Sequence, residues 1–155
     1  MSRLVRAPMI DELAVLSELC MRSKAQWGYD KNFMDACRAE LSLNLRDLQR
    51  TQVAVAEEDG QAVGVVQLDV KGNCADLLKL FVEPGVVGRG VGGTLFRWAA
   101  NRARQLGADR LFIDSDPDAA AFYRRMGAQH LGLSPSGSIP GRMLPRLVLQ
   151  LRPAP

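Results

Sequence analysis

The sequence predicts an α/β fold of the α+β kind: a mixed, mostly antiparallel central sheet flanked by helices. Three observations predict it. Residues 52–82 hold three consecutive strand-like runs separated by short glycine turns, which is the pattern of an antiparallel meander. Residues 94–151 then alternate between helical and extended patterns, so helices cover the sheet. Finally, 47% of the 155 residues are apolar and 24% charged, enough to bury a core without a metal or disulfide staple. A single domain over residues 1–155 is the organisation this length favours.

Residues 3–7 read as a short strand. After Pro8, Ile10, Leu13, Leu16 and Met21 recur near helical spacing, which predicts a helix over 9–22. Gly28 breaks it. Asp30 is placed to cap a second helix whose apolar stripe is Phe33, Met34, Cys37 and Leu41. Residues 42–51 read as a polar connection. QVAVAEE (52–58), QAVGVVQLDV (61–70) and CADLLKLFV (74–82) are the meander strands, with turns at Glu58-Asp59-Gly60 and Lys71-Gly72-Asn73. Glu83-Pro84-Gly85 leads into a glycine-rich loop, VVGRGVGG, and then a helix over 94–107 with Leu95, Trp98, Ala99 and Leu106 on one face. Next come a strand over 108–114 and a helix begun by Asp116-Pro117 and stopped by Gly127. A strand over 128–133, a turn-rich loop over 134–145 and a closing strand over 146–151 precede a loose tail at 152–155.

Cysteine and histidine usage excludes further chemistry. Cys20, Cys37 and Cys74 are odd in number, far apart and never C-x-x-C, and the lone histidine, His130, completes no zinc ligand set. The thiols read as small buried hydrophobes in a reducing compartment. Lys and Arg (20) exceed Asp and Glu (17) by three, a scattered surplus that suits anionic ligands but makes no nucleic-acid face. No apolar run approaches the ~20 residues of a membrane helix, and Asp11 and Glu12 stand where a signal peptide is apolar. A soluble cytoplasmic protein without metal, nucleic-acid or membrane partners is the expectation.

Gly88-Arg89-Gly90-Val91-Gly92-Gly93 satisfies G-x-G-x-x-G, with Asp114 about 20 residues further on, as in a dinucleotide-binding fold. The context opposes that reading. Residues 83–87 separate strand from glycine, a meander precedes the motif, and only some 40 residues follow Asp114. A Walker loop fails because no Gly-Lys-Ser/Thr follows. The physics of the loop survives. Successive glycines let backbone N–H groups turn toward a ligand, and the following helix presents its unpaired first-turn amides, an arrangement that binds pyrophosphate.

LFVEPGVVGRGVGGTLFRWA resembles the acetyl-CoA motif of the GNAT superfamily of N-acetyltransferases, whose loop reads (Arg/Gln)-x-x-Gly-x-(Gly/Ala). Gly90 and Gly92 fall on the glycine positions and Val82-Glu83-Pro84 on the usual Val-x-Pro. DPDAAAFYRRMGA is similar to the family's second signature, Asn-Pro-x-Ala-x-x-Phe-Tyr. The strong resemblance covers roughly residues 75–128. Val87 stands where the loop's Arg or Gln belongs, with either Arg89 or the loop amides alone as its replacement, and Asp116 stands where Asn is usual.

The resemblance implies a splayed strand pair: the strand ending at Val82 parts from the strand ending near Asp114 and leaves a V-shaped cleft for acetyl-CoA. Phe81 and Val82 are then the expected backbone partners of the pantetheine arm. Val87, Gly88, Arg89, Gly90, Val91, Gly92, Gly93 and Thr94 form the pyrophosphate loop, with Asp116, Ala119 and Phe122 lining the cofactor. Tyr123 matches the family tyrosine that protonates the departing thiolate. The family's base is often an acid on the fourth strand, where this chain has Leu78 and Lys79; Asp76, one pleat away, is the candidate, acting through water, or else an ordinary acid at a strand start. His130 reads as a sheet-surface residue. Trp27, Tyr29 and Asp30 form either an acceptor pocket that attracts an ammonium or a hydrophobic plug with Asp30 as a helix cap. The loop SPSGSIPGR is long enough to act as a mobile flap. The implied activity is acetyl transfer to the amine of a small molecule or peptide. A non-catalytic acyl-CoA-binding module is the alternative, dinucleotide binding a remote one, and homodimerisation is common in the family.

Overall fold

In the computed structural model, which describes residues 2–152, seven strands form one sheet. The elements run β1 (Arg3–Arg6), α1 (Leu13–Ala25), α2 (Lys31–Leu41), α3 (Leu45–Arg50), β2 (Gln52–Glu58), β3 (Gln61–Lys71) and β4 (Cys74–Val82). They continue as α4 (Val91–Gln105), β5 (Arg110–Asp114), α5 (Ala120–Arg125), β6 (Gln129–Pro135) and β7 (Met143–Gln150), with single 3-10 turns at Ile10–Glu12, Pro84–Val86 and Pro117–Ala119. Of the tail expected at residues 152–155, only Arg152 lies within the described residues.

Strand order is β1-β2-β3-β4-β5-β7-β6, and every pairing is antiparallel except β4 with β5. That exception positions the site. β4 and β5 pair only where residues 74–77 face residues 110–113, so residues 78–82 of β4 run on without a neighbour on that side. Lys79 pairs with Gln67 while Leu77 pairs with Leu68, so Leu78 is an extra residue in the ladder, and it is exposed at the mouth of the gap.

Strand alternation sends two core faces in opposite directions. Ala54, Ala56, Val66, Leu68, Leu111 and Ile113 meet Leu95, Phe96, Ala99 and Ala103 of α4 on one side. Val55 and Val65 meet Leu16, Leu19, Cys20, Met34, Cys37 and Leu41 of α1 and α2 on the other. The approach of α4 to β3 is close: a Cβ on Gly64 would stand 2.8 Å from a Leu95 methyl.

Four element boundaries differ from the expectation. α3 falls in the stretch read as a polar connection; Asn44 and Asp47 cap it reciprocally, each side chain accepting the other's backbone N–H at 3.0 Å. The first helix starts as a 3-10 turn, with Ile10 exposed, and extends to Ala25. α4 begins at Val91, so Gly92 and Gly93 are helical. β6 and β7 lengthen toward each other and shorten their loop to residues 136–142. No helix among the described residues is long and apolar enough to cross a membrane.

Candidate active site

The gap between β4 and β5 opens into a cavity of about 650 Å³. Its walls are the unpaired edge of β4, the glycine loop with the first turn of α4, the end of β5, and α5. The α1–α2 connection and the β6–β7 loop close the opposite side. Of the cofactor positions expected from sequence, Phe81, Val82, Val87, Gly88, Gly90, Val91, Gly92 and Gly93 line it, as do Asp116, Ala119 and Phe122. Arg89 and Thr94 do not.

Gly88 and Gly90 adopt φ of +93° and +83°, values that strain any residue with a Cβ. Gly90 is also the N-cap of α4 and has no side chain to offer, so the first-turn amides of Val91, Gly92 and Gly93 keep no cap. They stand at the cavity wall with the positive end of the helix dipole behind them. Gly92 is tightly enclosed: an added Cβ would meet the Phe122 ring at 3.4 Å and a Val82 methyl at 3.7 Å.

Arg3, which sequence reasoning missed, fastens this loop from the far end of the chain. It donates to Arg89 O at 2.8 Å and Thr94 Oγ1 at 3.2 Å, while Thr94 Oγ1 donates to Gly90 O at 3.1 Å. Buried Glu58 holds Arg3 in turn, accepting from Nε at 2.9 Å and Nη2 at 2.7 Å. Ser23, also unforeseen, sits where the pantetheine arm was expected to pair: Val82 N donates to Ser23 Oγ at 3.3 Å.

Tyr123 lines the cavity and is only 7% exposed. Its ring packs against Phe96 and Phe122, at centroid distances of 5.7 and 5.1 Å. Among the described residues its hydroxyl has no hydrogen-bond partner. Burial pushes that hydroxyl's pKa well above the usual phenol value, and the carboxylate of Asp116 pushes it further.

Asp76 is not among the lining residues. It lies in the paired part of β4, between Asp69 on β3 and Phe112 on β5. Burial raises its pKa above the usual carboxylate range; Arg146 opposes the rise, and Asp114 and Asp69 add to it. Lys79 is 8% exposed and donates to Gln67 Oε1 at 2.8 Å. Gln67 Nε2 donates to Thr51 Oγ1 at 3.1 Å, which donates to Asp47 O at 2.6 Å. Burial holds the Lys79 ammonium below its ordinary pKa. His130 is exposed on β6.

On the opposite wall, Trp27 lines the cavity at 45% exposure, whereas Tyr29 and Asp30 do not line it. The Asp30 side chain caps α2, accepting from Phe33 N at 2.8 Å. Tyr29 stacks on Phe33, with centroids 4.0 Å apart, and Lys24 and Arg142 both lie over these rings. The aromatic faces expected to greet a substrate ammonium thus meet the chain's own cations. Tyr29 donates to Asp116 Oδ2 at 2.6 Å and accepts from Arg142 Nη2 at 2.7 Å. Burial, aided by Asp116, pushes its hydroxyl up to about 12. Burial also disfavours the charge on Asp116, but the Tyr29 hydroxyl, the Asp118 amide, Lys24 and Arg142 outweigh it and hold this carboxyl below its usual range.

The β6–β7 loop, expected to be a mobile flap, is tied down. Ser138 bonds Glu40 on α2, Ser136 Oγ accepts from Ser138 N and Ile139 N, and Ile139 packs against the α1–α2 core. Cys20 and Cys37 are buried, and burial raises the pKa of both thiols. Among the described residues, no group of three or more His, Cys, Asp or Glu side chains could hold a metal ion.

The model of the acetyltransferase (GNAT) family matches residues 16–128, well over half of the chain. The chain belongs to the GNAT family of acetyltransferases. No curated protein sequence matches it. Solved structures give the same fold. The PaiA N-acetyltransferase of Thermoplasma acidophilum in complex with coenzyme A is 19% identical, with a TM-score of 0.82 over 97% of this chain and 99% of that one. The ribosomal-protein-S18-alanine N-acetyltransferase of Escherichia coli is 15% identical, with a TM-score of 0.72 over 99% and 97%. A GNAT family acetyltransferase of Brucella melitensis in complex with acetyl-CoA is 21% identical, with a TM-score of 0.69 over 98% and 90%. At these identities the likeness establishes the fold alone, so the site rests on this chain's own residues. Membership of the family also removes the dinucleotide reading, and an antiparallel meander stands where that fold needs a parallel βαβ unit.

Proposed function

We propose that this acetyltransferase moves an acetyl group from acetyl-CoA to a primary amine of a small molecule or peptide by direct attack. One observation carries the reading: a strand gap that ends at a helix N-terminus capped by glycine, with an unpartnered tyrosine hydroxyl in the same cavity. The α4 amides bind the pyrophosphate, and the exposed edge of β4 takes the pantetheine arm, with Ser23 sharing the amide of Val82. Asp116, Ala119 and Phe122 line the cofactor, with Phe122 packed beside Gly92 against its apolar arm.

The neutral amine nitrogen attacks the thioester carbonyl, an N–C bond forms and the C–S bond breaks. Tyr123 gives its proton to the departing thiolate and regains one from the acylated nitrogen through solvent. Its raised pKa keeps the donor loaded across the neutral range. The acceptor's ammonium proton leaves through water toward Asp76, which stands outside the cavity lining and is reached only through that water. Holding amine and thioester in line supplies the rest of the rate. Free buried thiols suit a reducing cytoplasm. Free-thiol release from acetyl-CoA across a broad amine and peptide panel, beside calorimetry with CoA, tests the proposal. CoA binding with thiol release that depends on an amine supports it. Absence of CoA binding overturns it.

A further inference from the structure

We infer that the acceptor carries a carboxylate, bound by Lys24 and Arg142 at the cavity wall opposite the glycine loop; the inference rests on the acetyl-transfer reading above. Donor and acceptor accounting leads there. Asp116 is the carboxylate that both cations face, yet each of its oxygens already accepts one close bond: Oδ2 from the Tyr29 hydroxyl at 2.6 Å and Oδ1 from its own helix-entry amide, Asp118 N, at 2.9 Å. Lys24 Nζ stands off Asp116 Oδ2 at 3.5 Å and Arg142 Nη2 at 3.6 Å, both beyond the usual length of a charge-assisted bond.

An ammonium has three N–H donors and a guanidinium five. Among the described residues, the Arg142 guanidinium spends one nitrogen on Tyr29, and the Lys24 ammonium makes no hydrogen bond with the protein. Both side chains are largely withdrawn from solvent, at 15% and 19% exposure, and both line the cavity. Two half-buried cations share one carboxylate, and partly dehydrated donors left unspent are costly.

Of the other charges that line the cavity, Asp118 and Arg125 stand at the start and end of the α5 segment, and the remaining three are engaged with the chain itself. Glu40 is bonded by Ser138, Asp114 pairs with Arg146 at 2.8 Å, and Lys79 bonds Gln67 at 2.8 Å. A carboxylate entering from the acceptor side takes the open fork of Arg142 and the point charge of Lys24 together. The stacked Tyr29–Phe33 pair beneath holds both cations in place.

The test uses the whole chain and acceptors in matched pairs, each amino acid beside its own carboxamide, read by thiol release from acetyl-CoA. The wild type should prefer the carboxylate member by about tenfold or more in kcat/KM. Arg142→Gln and, independently, Lys24→Met should raise the KM of the carboxylate member about 10–100-fold, the scale of a charged hydrogen bond. The carboxamide's KM and that of acetyl-CoA should stay put, and Arg142→Lys should recover part of the preference. Thermal melts of both variants confirm that they fold, and Lys24→Met stands if Arg142→Gln loosens the loop. Equal use of both pair members by the wild type overturns the inference while leaving acetyl transfer intact. So does a KM rise confined to acetyl-CoA, which assigns the cations to the donor. Thiol release from no amine at all overturns both readings.

Discussion

At the scale of single residues, the hydroxyl of Tyr123 is the most exacting atom in the cavity, because the protein leaves it unpartnered while burying the ring around it. Tyr123→Phe deletes that oxygen alone and keeps the packing against Phe96 and Phe122. kcat should fall about 10²–10⁴-fold, the typical value of a general acid, with the KM for acetyl-CoA and the melting temperature little changed. Steady-state kinetics beside a thermal melt read both; full turnover by the variant would make the residue a core tyrosine. Asp30 gives the opposite expectation. Its carboxylate is spent on Phe33 N, and Asn caps a helix as well as Asp does. Asp30→Asn should therefore leave stability and acceptor KM unchanged, and a KM rise specific to the acceptor would return Asp30 to the pocket.

At the scale of elements, β1 and β2 hold the glycine loop in place. Arg3 reaches from β1 to Arg89 O and Thr94 Oγ1, and Glu58 at the end of β2 fixes the guanidinium. Arg3→Gln should loosen the loop and raise the KM for acetyl-CoA several-fold. The KM for S-acetyl-pantetheine, which lacks the pyrophosphate, should not move. Equal loss with both donors would make Arg3 a general structural residue. Gly90→Ala should add about 1–2 kcal/mol of left-handed strain at the same place. Much of this frame is legible in sequence: the meander shows as β-rich runs between Gly turns, and the cofactor wall shows as two motifs. The rest is hidden for physical reasons. α3 is only six residues long, with Leu45 and Leu48 its sole apolar side chains, and is held by a capping box, so its apolar period is too short to read. The start of α4 is masked by glycines that read as loop. Arg3 and the Lys24–Arg142 pair carry no local pattern at all, since the fold joins residues on opposite halves of the chain.

At the scale of the whole molecule, carboxylates held below their ordinary pKa tie elements together: Glu12 to Arg6 across consecutive ones, and Glu83 to Arg22 and Asp116 to Tyr29, Lys24 and Arg142 across distant ones. Each such group stabilises the fold above its unfolded pKa, near 4, and loses that contribution as pH falls through the lower folded value. Asp76 runs the other way, because its raised pKa makes protonation favour the folded state, so it partly offsets the acid loss. Stability should hold from neutral pH to about 4 and fall below it. Asp116 isolates one contribution. Asp116→Asn places the residue usual in the family motif; its amide oxygen can still accept from the Asp118 amide and cap the turn. What it removes is the Oδ2 acceptor of the Tyr29 hydroxyl and the charge facing Lys24 and Arg142, leaving two half-buried cations without a counter-ion. The variant should therefore melt lower than the wild type at pH 7. The gap should narrow from about pH 4, where Asp116 of the unfolded chain takes a proton, and go on narrowing until the folded carboxyl, held below that value, is as neutral as the amide. Melting temperatures of both proteins from pH 7 to pH 3 measure the gap, and a difference that stays constant over that range would mean that Asp116 holds the fold by shape and not by charge.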